Sequence, residues 1–169
     1  MPTDSNPIST NKEIVHRYMD DCWNLGKLDE LRELVAENCS HHDSVFPSLQ
    51  AGVDNLRRHI SMCRNGFPDC KFTIDDTIAE RNEVVIHWTV TGTHKGQFLS
   101  MPPTDRKVSV TGTSIFRIEG GKIARNSEFK SRIVTFFAIF PRAKGRNGSC
   151  SLALYTQREC VVPVKNSMS

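Results

Sequence analysis

The sequence predicts an α+β domain in which helices from the first part of the chain cover one face of an antiparallel sheet built from the second part. Two observations support this fold class. Apolar residues recur at helical spacing up to about residue 66, and from Lys71 onward the hydrophobic period changes to two. Glycine and proline also interrupt the connection between the two most regular strands, as is typical of turns.

The first helix is predicted from a capping signal that follows a short polar leader. Residues 1–9 are polar and contain proline, so we expect them to be mobile. Thr10 and Glu13 then form a capping box, in which each side chain satisfies a free backbone donor at a helix start. A broad apolar face follows, and Gly26 ends the helix.

Two further helices are predicted on either side of a polar segment. The leucines of residues 28–34 indicate a short second helix. Residues 38–48 are polar and turn-rich, so we expect a loop there. A third helix begins at Gly52 and ends at the Gly–Phe–Pro–Asp segment of residues 66–69, because proline cannot continue a helix. Its apolar stripe leaves His59 on the exposed surface.

Two strands with regular alternation form the centre of the predicted sheet. In residues 84–91 the apolar side chains share one face, and residues 108–119 repeat the pattern before a Gly120–Gly121 hairpin turn. Two inward positions of the second strand, Gly112 and Ser114, are too small or too polar to fill a core. We therefore expect a cavity beside them instead of a packed interior.

Length and composition exclude several classes of protein. The 169 residues correspond to one domain, and 38% apolar with 24% charged residues is ordinary for a globular chain. A net charge of +3 with scattered basic residues does not predict a nucleic-acid-binding surface. The longest apolar run, residues 133–140, is about half of the ~20 residues that a membrane span needs, so no membrane association is predicted.

The cysteines and the first residues of the chain predict a compartment. Residues 1–13 lack the apolar stretch of a signal peptide. The six cysteines have irregular spacing and form no CxxC pair. We therefore expect reduced thiols and a cytoplasmic protein.

Four strings of the sequence carry a resemblance to a known family. They are WNLGKLDELRELVA at residues 23–36, FPD at 67–69, WTVTGTHKGQFLSMPPTDRKVSVTG at 88–112 and FRIEGGKI at 116–123. Together they resemble the SnoaL-like polyketide cyclase, or ester cyclase, family over about residues 11–124. The resemblance implies a family domain over residues 10–128, followed by an atypical C-terminal extension, residues 129–169.

The resemblance also implies an architecture and several chemistries. The family has a cone-shaped α+β barrel of the nuclear transport factor-like superfamily, with three N-terminal helices packed on a curved, mostly antiparallel sheet. A solvent-shielded pocket lies between the sheet and the helices. Scytalone dehydratase, limonene epoxide hydrolase and steroid isomerases share this fold, so the fold alone does not choose among these reactions.

Characterised cyclases of the family close a ring by intramolecular aldol condensation, without a metal or an organic cofactor. The reaction needs a base for an acidic α-proton and donors that stabilise the enolate oxygen. The family's acid/base is an aspartate just after a His–Trp pair. Glu128 matches its position, with Asn126 and Ser127 in place of the pair, and His42 matches the histidine of a DxVDH-like segment. The resemblance thus implies Glu128 as the base and His42 as its partner.

Six further residues are predicted to contact a substrate, from strand alternation and from the resemblance. They are Trp23, His41, Phe67, Trp88, Ser114 and Phe116. Structural alternatives stay open for several candidates. Glu128 could be a solvated carboxylate beside Lys130, His42 a loop residue, and Trp88 a core residue whose indole N–H needs a partner.

Two further possibilities for the histidines, a metal site and a catalytic His94, are not favoured. A metal site made of His41, His42 and Asp43 is not predicted, because adjacent residues rarely converge on one ion and no second ligand cluster has suitable spacing. His94 lies in a turn after the first regular strand, where a turn-stabilising hydrogen bond is expected.

Three functional hypotheses follow. The first is a cofactor-independent enzyme that transfers protons on a hydrophobic, carbonyl-bearing small molecule. The second is a non-catalytic domain that binds a small apolar ligand or forms a homodimer through its sheet. The third is an epoxide-opening hydrolase, which would need two carboxylates bridged by an arginine, and no such inward-facing trio is evident in the strands.

Overall fold

The computed structural model describes residues 7–43, 46, 50–99 and 101–130. The helical elements are α1 (Pro7–Arg17), a π-helical continuation (Tyr18–Asn24), a 3₁₀ turn (Leu28–Glu30), α2 (Leu31–Leu34) and α3 (Val53–Gly66). The strands are β1 (Val35–Asp43), β2 (Lys71–Glu80), β3 (Glu83–Thr93), β4 (Lys107–Glu119) and β5 (Lys122–Lys130). The predicted α+β class is confirmed. Among the described residues, none of the helices has the length and apolar character that a membrane crossing demands.

The five strands form one sheet in the order β1-β5-β4-β3-β2. Strand β1 runs parallel to β5, whereas the other three pairings are antiparallel. The sheet is therefore mostly antiparallel, as predicted. Gly120 (φ 57°) and Gly121 (φ 73°) close the β4–β5 hairpin in the left-handed conformation that a tight turn requires, which confirms the predicted turn.

The core lies between the helices and the inner face of the sheet. Alternate residues of β3 and β4 are buried, as the period-two pattern predicted. They pack against the buried side of the first helical segment, where the Tyr18 ring meets Phe116 edge-on at 5.8 Å between centroids. Burial of this apolar face stabilises the helices against the sheet.

The start of the first helix differs from the prediction. The helix begins at Pro7, so Thr10 lies inside it and the capping-box interpretation is wrong. Proline suits the first helical position because its missing N–H would have no intrahelical partner there. The helix then continues as the π-helical stretch, and the apolar Leu25 that follows it is 62% exposed.

The loop predicted around residues 38–48 is wrong over its first half, because β1 extends to Asp43. Its inward residues include Cys39, His41 and Asp43. A polar inner face removes the hydrophobic alternation that would have revealed a strand. Pairing with β5 supplies the backbone hydrogen bonds that local propensity did not predict.

The expected cavity beside Gly112 and Ser114 is filled by an aromatic ring. A Cβ atom at Gly112 would lie 2.4 Å from Cζ2 of Trp88, so the missing side chain makes room for the indole. The indole Nε1 donates to Ser114 Oγ at 2.9 Å, which satisfies the buried N–H. The predicted position of the cavity is therefore wrong, and the open space lies elsewhere on the same face.

Two predicted segments lie outside the described residues. Most of the leader, residues 1–6, and most of the extension, residues 131–169, belong to this part of the chain. The last strand reaches Lys130, two residues past the boundary implied by the resemblance.

Candidate active site

An apolar recess of about 100 Å³ opens between the helices and the sheet. By this measure one water needs about 10–15 Å³, so the recess accommodates several waters or a small organic group. Its walls are mainly aromatic rings and valines. They include Trp23, Phe46, Phe67, Phe72, Trp88, Val90, Phe98, Val108 and Val110.

Ring-to-ring contacts hold the aromatic wall in place. Phe72 lies 5.0 Å from Trp23 and 5.2 Å from Trp88 between ring centroids, both in tilted or edge-on geometry. Phe98 meets Phe67 at 5.2 Å and Phe46 at 5.9 Å in the same way. Such geometries are favoured by the ring quadrupoles, so these contacts fix the positions of the rings.

His94 supports this wall and does not line the recess. Its ring stacks on Phe67 at 5.1 Å, and Nδ1 lies 3.0 Å from Thr104 Oγ1. The His94 backbone N–H donates to Arg106, and its carbonyl accepts from Thr104 and Asp105. These bonds close the loop between β3 and β4, so the predicted turn-stabilising hydrogen bond is confirmed.

At one end of the recess lies a group of six polar residues, which we call the buried polar cluster. Its members are His41, Asp43, His59, Asn126, Glu128 and Lys130. Parallel pairing places β1 beside β5 with His41 opposite Asn126 and Asp43 opposite Glu128. Alternation on both strands then turns these four side chains to the same inner face.

The lysine links the two parts of the site. Lys130 is the one charged side chain among the described residues that line the recess, and its Nζ lies 5.4 Å from the centre of the Phe46 ring. The same ammonium contacts Asp43 Oδ2 and lies 3.2 Å from Glu128 Oε2. A cation held by two carboxylates thus faces an apolar space.

The remaining contacts of the cluster orient its side chains. Asn126 Nδ2 donates to Glu128 Oε1 at 3.1 Å and lies 3.3 Å from His41 Nδ1. His59 Nε2 lies 3.8 Å from Asp43 Oδ2. His41 Nε2 and Asn126 Oδ1 are buried and have no hydrogen-bond partner within the described part of the chain.

Burial and neighbouring charges shift the pKa values of several groups in the cluster. Burial is the largest single influence on the Glu128–Lys130 pair and disfavours both charges, but their mutual attraction together with the other charged groups of the cluster outweighs it, so the pKa of Glu128 is lowered and that of Lys130 is raised. Burial lowers the pKa of His59 to about 4, and it lowers that of His41. At neutral pH the two histidines are therefore neutral imidazoles beside the Glu128–Lys130 ion pair.

Cys63 shows that the recess does not activate a thiol. Its Sγ lies 3.9 Å from His59 Nε2, which resembles a Cys–His pair. Burial raises the pKa of this thiol to about 12, so it stays protonated at neutral pH. Cys63 therefore lacks the lowered pKa that is typical of an activated cysteine nucleophile.

The structure brings most of the predicted residues to the site and separates others from it. Trp23, Phe67 and Trp88 line the recess, and Glu128 and His41 belong to the cluster. Glu128 is only 7% exposed, which contradicts the alternative of a solvated surface carboxylate.

Three predicted residues lie outside both parts of the site. His42 is exposed on the opposite face of β1 from His41 and Asp43, because successive side chains of a strand alternate. Ser114 and Phe116 are buried on β4, where Ser114 accepts the hydrogen bond from Trp88 and Phe116 packs on a helix.

Sequence reasoning missed Lys130, Asp43 and His59. The prediction that His59 lies on the helix surface is wrong, since it is 3% exposed where α3 packs against β1. One signal could have found part of the cluster. The His-x-Asp spacing of His41 and Asp43 places their side chains on one face if the segment is a strand. The polar composition of residues 38–48 predicted a loop instead.

Comparisons with known proteins identify the family. The family model for SnoaL-like polyketide cyclases matches residues 13–141. No protein with a curated description matches the chain in sequence.

Solved structures show the same fold. A candidate SnoaL-like polyketide cyclase from Jannaschia sp. CCS1 is 25% identical, with a TM-score of 0.70 over 81% of this chain and 96% of that one. A candidate polyketide cyclase from Acidithiobacillus ferrooxidans is 22% identical, with a TM-score of 0.69 over 82% and 97%. TsrD from Streptomyces laurentii is 21% identical, with a TM-score of 0.70 over 78% and 95%. Since the family model covers well over half of its residues, the chain belongs to the SnoaL-like polyketide cyclase family.

Proposed function

We propose that the protein is a cofactor-independent enzyme that transfers protons on a hydrophobic, carbonyl-bearing small molecule and closes a ring by intramolecular aldol condensation. The observation that carries the proposal is the position of Lys130. Its ammonium lines the apolar recess and forms ion pairs with the carboxylates of Asp43 and Glu128. An apolar wall binds the carbon skeleton, and the polar end meets the carbonyl group.

Lys130 would stabilise negative charge on the substrate oxygen. A carbonyl oxygen beside its Nζ gains charge when an α-proton leaves, and a fixed ammonium in a low-dielectric site stabilises the enolate strongly. The two carboxylates keep the ammonium in place before the reaction begins, so no reorganisation is needed when charge develops.

Glu128 is the proposed base. It lies 3.2 Å from the ammonium, and the Asn126 amide donates to its other oxygen. Glu128 takes the α-proton, the resulting enolate carbon bonds to a second carbonyl carbon of the same molecule, and the new alkoxide receives the proton from Glu128. Its position also matches the family's acid/base carboxylate.

Deuterium exchange tests the first step without knowledge of the natural substrate. Small hydrophobic ketones such as 2-indanone are incubated with the protein in D₂O, and loss of the α-proton signal is followed by NMR. We expect exchange above the buffer rate, and we expect Glu128→Gln to slow it by about 10²-fold or more, the usual contribution of a general base.

The matched control is Glu119→Gln, which makes the same change at an exposed residue of β4. This variant should exchange at the wild-type rate. Equal rates for the two variants would remove Glu128 from the mechanism. If no ketone in the panel exchanges faster than in buffer, the enzymatic proposal fails.

The ligand-binding alternative is decided in the same samples. Shifts of ketone or protein signals on mixing, with no deuterium uptake, would identify a binding domain of the same fold.

The proposal includes a homodimer through the outer face of the sheet, where His87 is exposed on β3. Light scattering on the purified protein tests this assembly.

Epoxide opening is a second candidate that one arrangement favours. Asp43 and Glu128 share Lys130 between them, so the carboxylate pair is bridged by a lysine and not by the arginine that this mechanism was expected to need. One carboxylate would take a proton from water while the water oxygen bonds to an epoxide carbon and the epoxide C–O bond breaks, and the Lys130 ammonium would give a proton to the ring oxygen. Conversion of styrene oxide to its diol, absent in Asp43→Asn, would favour this reaction.

A further inference from the structure

Three side chains of the buried polar cluster form a set of metal-ligand type. His41, Asp43 and His59 each offer a ligand atom, and these atoms all lie within 4.8 Å of one another. All three residues are buried, so the arrangement is not one of the exposed acidic groups that are common on protein surfaces.

The fold assembles this set from two distant segments. The His-x-Asp spacing on β1 turns His41 and Asp43 to the inner face, while His42 between them faces outward. The third residue, His59, comes from α3, which packs against β1. The sequence does not reveal this set, because His59 is distant in the chain from His41 and Asp43 and lies on a different element.

We propose that His41, Asp43 and His59 bind a divalent transition-metal ion. Two imidazoles and one carboxylate suit Zn²⁺, Co²⁺ or Fe²⁺, whereas Mg²⁺ and Ca²⁺ prefer sets made only of oxygen atoms. Three protein ligands also leave coordination positions for water or a small molecule.

An unsatisfied nitrogen supports the assignment independently. His41 Nε2 is buried and has no hydrogen-bond partner in the described part of the chain, although its residue is only 5% exposed. A buried polar atom without a partner is costly, and coordination would satisfy it. Coordination through Nε2 requires the His41 tautomer that carries its proton on Nδ1, the nitrogen 3.3 Å from Asn126 Nδ2.

The geometry requires a small adjustment. Tetrahedral bonds of about 2.0–2.2 Å to Zn²⁺ place the ligand atoms of one ion about 3.3–3.6 Å apart. The present ligand atoms lie within 4.8 Å of one another, so inward movements of about an ångström complete the set.

The Lys130 ammonium competes with a metal ion for Asp43, and the charge of the cluster allows it to hold both cations. Asp43 and Glu128 contribute two negative charges against one ammonium, so the cluster with neutral imidazoles carries a net charge of −1. When Asp43 turns to the metal, Lys130 keeps Glu128 as its partner at 3.2 Å. The metal site does not rest on the proposed aldol reaction, and neither needs the other.

Cobalt and zinc titrations test the site directly. The wild-type protein is dialysed against a chelator, freed of the chelator and titrated with Co²⁺ alone, then with Zn²⁺ alone by calorimetry. We expect one equivalent of each ion, visible d–d bands for Co²⁺ that disappear when Zn²⁺ displaces it, and a higher Tm with Zn²⁺. Mg²⁺ should have no effect.

Variants distinguish this site from adventitious binding. His41→Ala and His59→Ala should each weaken Zn²⁺ binding by at least about tenfold, since even the loss of an orienting partner costs about 10–100-fold. His42→Ala is the matched control, because His42 is exposed on the same strand, and it should bind like wild type.

Two outcomes would overturn the proposal. The first is a wild-type protein that gives neither Co²⁺ bands nor a Zn²⁺ heat. The second is equal weakening in His41→Ala and His42→Ala. Circular dichroism checks that each variant folds. If His41→Ala or His59→Ala does not fold, the corresponding glutamine variant, His41→Gln or His59→Gln, is used in its place.

Discussion

The apolar recess and the buried polar cluster lie side by side, but they are held together by different forces. The recess wall is made of aromatic and valine side chains whose contacts are non-directional and shared among many neighbours. The cluster is made of a few charged and polar groups, each fixed by one or two specific partners. We therefore expect the recess to tolerate substitutions that change the shape of a side chain. We expect the cluster not to tolerate substitutions that change a charge.

The energetic difference follows from what a substitution leaves behind. Apolar substitutions of similar volume usually cost less than about 1.5 kcal/mol, because neighbouring side chains repack. Removing one member of a buried ion pair leaves its partner charged in a medium of low dielectric constant, which costs about 3–5 kcal/mol. We therefore expect stability to be more sensitive to substitutions in the cluster than in the recess wall.

The largest effect is expected for Lys130→Met. The substitution leaves Asp43 and Glu128 as two buried carboxylates without their shared cation, so the free energy of unfolding should fall by about 3–5 kcal/mol. Urea denaturation followed by circular dichroism measures the change.

Lys107→Met is the control for this prediction, because Lys107 is exposed at the start of β4. Its effect should stay within about 0.5 kcal/mol. Similar unfolding midpoints for the two variants would contradict the view that the ammonium holds the cluster together.

A smaller effect is expected for Gly112→Ala at the base of the aromatic wall. The new methyl group would meet the Trp88 ring at 2.4 Å, so the indole must shift and its hydrogen bond to Ser114 must lengthen. Overpacking of this kind costs about 1–3 kcal/mol. A shift of the tryptophan fluorescence should accompany the loss of stability.

Thr111→Ala, an exposed change at the preceding residue of β4, is the control and should alter stability by about 0.5 kcal/mol or less. If Gly112→Ala were as stable as this control and left the fluorescence unchanged, the Trp88 ring would not be held in place by its close packing against Gly112.

The smallest effect is expected for Asp69, a carboxylate that stays close to water. It accepts hydrogen bonds from the Thr93 hydroxyl and the Thr93 amide at 2.7 Å each, and these bonds lower its pKa. Because the folded pKa lies below the unfolded value of about 3.9, its stabilising effect is complete above about pH 4 and is lost as pH falls through the folded pKa.

Asp69→Asn tests this sign. The difference in stability between wild type and the variant should be small at neutral pH and should shrink further under acid conditions, as urea denaturation at several pH values would show. A difference that grows as the pH falls would mean that burial, and not hydrogen bonding to the charged form, governs this carboxylate.

Local patterns were sufficient to predict the fold class and the recess wall. Alternation in β3 and β4 identified the inward face, and the Gly120–Gly121 turn was predicted at the right residues. Trp88 was placed inward by the same rule and does line the recess. These predictions succeeded because each depends on residues close together in the chain.

The prediction of a cavity failed for a reason that local patterns cannot reveal. A small residue at Gly112 indicates missing volume on its own strand, but the neighbouring strand decides whether a ring fills it. Trp88 pairs with Gly112 across β3 and β4, so the volume is occupied. The recess is lined by the predicted Trp23, Phe67 and Trp88 together with residues that were not singled out, such as Phe46 and Phe98.

The sequence by itself determined the helices, the alternating strands and the family, because hydrophobic periodicity and family motifs are local properties. Only the tertiary structure decided that β1 is a strand parallel to β5, and with it that Asp43, Glu128 and Lys130 meet. The physical reason is that a charged group is buried only where a distant partner offsets the cost of removing it from water, and such a partner leaves no mark on the neighbouring sequence.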